Sequence, residues 1–110
     1  MQSKFQLVSD ERPRLVALHA LMRGLYGHTS LGEAKKAELK PFVDRLERLV
    51  WAAESPHNWA WAPSLWGSMY ETLHSLEDWL KENGTDLEED ACPFHFYAWN
   101  LMPCCDPVPD

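Results

Sequence analysis

The chain has 110 residues, 45% of them hydrophobic, with ten basic and seventeen acidic residues giving a net charge of −7. This length and composition describe one domain that can bury roughly two-thirds of its unfolded surface around a single core, and they exclude a disordered chain. No apolar run is long enough to span a membrane, and the negative charge excludes a general nucleic-acid binder, whose affinity rests on neutralising phosphates.

The first predicted element is a helix that starts near Ser9 or Asp10. Both residues are good N-caps, and Pro13 fits a first helical turn. Leu15, Leu18, Met22 and Leu25 then recur at helical spacing. Gly24 weakens the last turn, and Gly27 is a reasonable stop. Ser30 and Glu33 read as a capping box opening a second helix over about residues 31–54. Pro41 falls inside that helix and should kink it or restart it. Phe42, Leu46, Leu49, Val50 and Ala53 give it an apolar face, with Arg45 and Arg48 opposite. Ser55-Pro56-His57-Asn58 reads as a loop, and the alternation in Trp59-Ala60-Trp61-Ala62-Pro63 suits a short strand. Ser64 caps a third helix, whose stripe is Leu65, Met69, Leu73, Leu76 and Leu80. Asn83-Gly84 should end it, with Gly84 in the left-handed conformation. Beyond lie an acidic loop, an apolar stretch Phe94–Trp99 that suits a strand or one helical turn, and a proline-rich tail.

The expected architecture is therefore all-α: a small bundle of three major helices, the second one kinked, with an irregular C-terminal segment. Residues 1–110 form one helical domain, frayed over about residues 103–110. Charge is unevenly spread along it. Residues 1–50 carry nine basic and six acidic side chains, whereas residues 77–110 carry nine acidic side chains and Lys81 alone.

Chemistry-bearing motifs are sparse. Cys92-x-x-His95 with Cys104-Cys105 offers four soft ligands for Zn²⁺, at a spacing that matches no recognised zinc pattern. Without an apolar leader at the N-terminus, a cytoplasmic setting and free thiols are expected. His19 and His74 lie within helices, and no His-Glu-x-x-His pair occurs. Gly67-Ser68 lacks the second glycine of a nucleophile elbow. Phosphate loops and dinucleotide fingerprints are absent. Adjacent acids such as Glu77-Asp78 point apart on a helix and read as a solvated face. The expectation is a protein that is not an enzyme and uses no metal or cofactor. A small Cys/His metal- or thiol-dependent protein is the alternative.

The excess is in rings. Six tryptophans, three tyrosines and four phenylalanines exceed what a three-helix core of this size needs. Trp51 and Trp66 can belong to the core. Trp79 sits at the edge of the third stripe, and Trp59, Trp61, Phe94, Phe96, Tyr97 and Trp99 lie in loop-like segments. Either those segments cover the bundle or some rings face a partner, since tryptophan and tyrosine dominate binding hot spots. The candidate partner-binding set is Trp59, Trp61, Trp66, Tyr70, Leu73, Trp79, Phe94, Phe96, Tyr97 and Trp99. A symmetric dimer could bury the Trp66–Tyr70–Leu73 flank against itself.

The helix from Arg14 to Tyr26 and the run Leu65-Trp66-Gly67-Ser68-Met69-Tyr70-Glu71-Thr72-Leu73, in a small acidic chain, resemble the QslA-like helical anti-activators of bacterial quorum sensing. The resemblance implies a homodimer that binds the ligand-binding domain of a LuxR-type transcriptional regulator and keeps it off DNA, with no direct nucleic-acid contact. A phage-type inhibitor of a nuclease complex would carry the same signature.

Overall fold

The computed structural model describes residues 6, 9–29, 31–61, 65–84, 87 and 89–101, and at 65–68 and 70 it describes the backbone alone. Among the described residues there are five helices and no strand: α1 Arg12–Tyr26, α2 Glu33–Glu54, α3 Pro56–Trp61, α4 Leu65–Asn83 and α5 Cys92–Leu101. The all-α expectation holds. Two details differ: α3 is a helix where a loop and a short strand are expected, and α5 is a helix of ten residues where a strand or a single helical turn is expected.

The stripe of α1 is buried at all four positions, Leu15, Leu18, Met22 and Leu25. It packs mainly on α2, with the two helices antiparallel: Arg12 at the start of α1 reaches Glu54 at the end of α2, 3.6 Å away. Leu39, Leu46, Leu49, Ala52 and Ala53 form the buried face of α2. Pro41 does not restart this helix, which runs unbroken for 22 residues. Proline is tolerated here because its ring stands on the exposed side, where the helical carbonyl it leaves without a donor is open to water.

The helix ends also depart from expectation. Glu11, not Ser9 or Asp10, occupies the N-cap of α1, and Gly32 occupies that of α2. Ser30, the expected partner in the capping box, and Ser64 lie outside the described residues. Gly27 does end α1, as expected, with φ −83°, whereas Gly84 does not take the left-handed conformation expected of it, since no described glycine has positive φ.

Helix α3 follows from two local signals in Ser55-Pro56. The Ser55 hydroxyl accepts the Asn58 amide at 3.3 Å, and Pro56 supplies a helical φ at the first position. The Asn58 side chain then donates to the Trp51 carbonyl at 2.7 Å, tying α3 to the end of α2. Helix α4 buries Met69, Thr72, Leu73, Leu76, Trp79 and Leu80. It runs antiparallel to α2, since the Trp79 indole N–H donates to the Glu38 carboxylate at 3.3 Å.

Helix α5 closes the bundle against α1 and α4. Two glycines set its position. A Cβ on Gly24 of α1 would meet the Phe94 ring at 2.7 Å, and one on Gly84 would meet the His95 ring at 2.6 Å and the Leu80 carbonyl at 2.8 Å. Both glycines are needed for close approach, and the backbone of neither requires the left-handed region.

Candidate protein-binding surface

Helix α5 reads Cys-Pro-Phe-His-Phe-Tyr-Ala-Trp-Asn-Leu and holds no charged residue. Pro93 in its first turn fits a helix start. At 3.6 residues per turn, Phe94, Ala98 and Leu101 fall on one side and enter the core, where Ala98 is fully buried. Phe94 also packs edge-on against His28, with ring centroids 5.5 Å apart.

The other rings of α5 point away from that core. Phe96 is 62% exposed, Tyr97 57% and Trp99 39%. Phe96 and Tyr97 touch edge to face at 5.7 Å. Trp99 turns toward α4, where the Lys81 ammonium lies 5.5 Å above its ring and also pairs with Glu77 at 3.1 Å. Between the two helices lies an open cleft of about 250 Å³ lined by Leu80, Lys81, Gly84, His95 and Trp99. At its floor the His95 ring lies against Gly84, where any Cβ would collide with it.

The structure separates the remaining candidates from this surface. Leu73 and Trp79 are buried, so neither offers area to a partner or to a dimer flank. Trp79 was placed at the edge of its stripe, but α4 is covered on two flanks, by α2 and by α5, and the indole falls inside the wider buried arc. Trp59 and Phe94 are half-buried and packed against the core. The side chains of Trp66 and Tyr70 lie outside the described residues. Trp61 is 74% exposed on α3 and packs edge-on with His57. Trp51, expected in the core, is 43% exposed instead. With Pro41, Asp44, Arg45, Glu47 and Arg48 it lines an open hollow of about 600 Å³ on the outer face of α2.

Metal-ligating groups do not converge here. Among the described residues no set of three or more His, Cys, Asp or Glu side chains could hold an ion. Cys92 is an exposed free thiol whose Sγ lies 3.6 Å from the Leu87 carbonyl, and Cys104 and Cys105 lie outside the described residues. Among the described residues no helix is long and apolar enough to cross a membrane. Comparison with protein-family models, curated proteins and solved structures finds no match to this chain.

Proposed function

We propose that this chain is a non-enzymatic inhibitory binding protein that engages another protein through the outer side of α5. The observation that carries this reading is an uncharged helix with its rings turned to solvent. A helix that is apolar all round belongs in an interior, yet Phe96, Tyr97 and Trp99 are left 62%, 57% and 39% exposed. At about 200 Å² per ring, they leave roughly 300 Å² of aromatic surface open. The largest apolar patch on a typical monomer is of about this size and is often functional. Rings are well suited to the task because they bury large area at small entropic cost.

The likeness to QslA-like anti-activators supplies the partner in this reading, a LuxR-type transcriptional regulator. The chain would act by covering the apolar face through which the regulator dimerises. It would not act by touching DNA, which its charge disfavours.

The test is direct. The purified chain is titrated into a LuxR-type regulator bound to its DNA site, and release of DNA is followed by fluorescence anisotropy. Release at micromolar concentration by the natural chain, weakened at least about tenfold by Phe96→Ala, is the expected result. A regulator that stays on DNA throughout the titration refutes the proposal.

A further inference from the structure

The charges around α5 go further than the rings, and they bear on the chemistry of the partner. Between residue 51 and the end of the chain Lys81 is the only lysine or arginine. It is already engaged, by the Glu77 carboxylate at 3.1 Å and by the Trp99 ring at 5.5 Å. Glu89 and Asp90 stand exposed in the turn that leads into α5. Neither has an ion-pair partner among the described residues. The open side of α5 is thus an uncharged aromatic strip and a cleft whose one cation, Lys81, is already paired with Glu77, with free negative charge at the N-terminal end of the helix.

Resting on the reading above, we infer that this face docks a basic amphipathic segment of the partner protein. An apolar side chain of that segment enters the cleft between His95 and Trp99, above Leu80, and flanking lysines or arginines meet Glu89 and Asp90. Charge complementarity selects this occupant over the others. A second copy of the chain would bring another net charge of −7 against this face, and like charges repel. An anionic lipid surface or a nucleic acid would be repelled outright. A basic segment with an apolar stripe satisfies both parts of the surface: the rings anchor it, and the rim steers its approach.

The test uses two synthetic amphipathic peptides of about five helical turns each. They share one leucine and phenylalanine stripe, flanked in one by lysine and arginine and in the other by glutamate. Binding to the full chain is measured by isothermal titration. The basic peptide should bind at least about tenfold tighter than the acidic one and weaken as salt rises from about 0.05 to 0.5 M. The exposed variant Glu89→Gln/Asp90→Asn, its fold checked by circular dichroism, should remove most of that difference. Trp99→Ala should weaken both peptides.

Equal binding of the two peptides, lost in Trp99→Ala, overturns the basic-partner inference and leaves the ring-driven reading intact. Binding that ignores both variants places the contact elsewhere and overturns the inference, as does binding of neither peptide. Self-association that excludes the peptide overturns it in favour of a second copy.

Discussion

Phe94 of α5 rests on Gly24 of α1 so closely that a methyl group added to the glycine would lie 2.7 Å from Cε1 of the ring. Two effects compete in a Gly24→Ala variant. Alanine gains about 1 kcal/mol of helix propensity within α1. Overpacking costs about 1–3 kcal/mol when the neighbour cannot retreat, and Phe94 is also held by His28. The clash wins, so Gly24→Ala should melt at a lower temperature than the natural chain. Adding Phe94→Leu should restore part of the loss, giving a favourable coupling in a double-mutant cycle. A single variant that melts higher would show that α5 does not pack on α1 in this way.

The second prediction concerns the hydrogen bond from the Trp79 indole to Glu38, at 3.3 Å. Trp79 is buried and the bond itself is partly shielded, so its N–H is only partly compensated by water if the acceptor is lost. Glu38→Leu should therefore cost about 1 kcal/mol, read as a lower urea midpoint at unchanged slope. Glu38→Gln keeps an acceptor oxygen and should restore most of the loss. Equal effects of the two substitutions would mean that the indole finds another acceptor.

What could be read from the sequence follows from periodicity. The stripe Leu15–Leu18–Met22–Leu25 is buried at every position, as are Met69, Leu73, Leu76 and Leu80 of the later stripe, whose Leu65 side chain lies outside the described residues, because each of those helices has a polar side that makes the apolar one visible. Helix α5 has no polar side to contrast with, and its Phe, Tyr and Trp residues favour strands by propensity. Pro93, which fits a first helical turn, is the local signal that could have marked its start. Trp79 and Trp51 exchanged their expected places for a tertiary reason. The neighbours of a helix decide how wide its buried arc is, and the pattern along one helix does not record its neighbours. The exposed rings Trp61, Phe96, Tyr97 and Trp99 were in the candidate set by composition. Their separation from buried Leu73 and Trp79 needed the fold.

His19 gives the third prediction. It lies on α1 with Nε2 buried and without a hydrogen-bond partner among the described residues. Burial holds its pKa below the ordinary 6.5, and Arg23 lowers it further, against a smaller opposing pull from Glu47. In the unfolded chain the imidazole takes up a proton near pH 6.5, whereas in the folded chain it does so only at lower pH. The unfolded state therefore binds more protons in that window, and stability falls as pH drops below 6.5. His19→Gln should flatten this part of the stability–pH curve while leaving the neutral-pH slope unchanged. Denaturant titrations at several pH values would check it, and an unaltered curve would remove His19 as the cause.

The last prediction distinguishes a ring that holds the fold from a ring that faces outward. Leu46 is fully buried in α2, and Leu46→Ala should cost about 2–5 kcal/mol through lost contacts and the cavity left behind. Phe96 is larger, yet 62% of it is open to solvent. Phe96→Ala should therefore change stability by no more than about 0.5 kcal/mol, measured by urea denaturation alongside Leu46→Ala. The same substitution should weaken partner binding at least about tenfold. That opposite ranking in the two assays is the signature of a surface reserved for another molecule. If Phe96→Ala instead destabilises the chain as much as Leu46→Ala, the outer side of α5 is covered within the chain itself and is not the docking face.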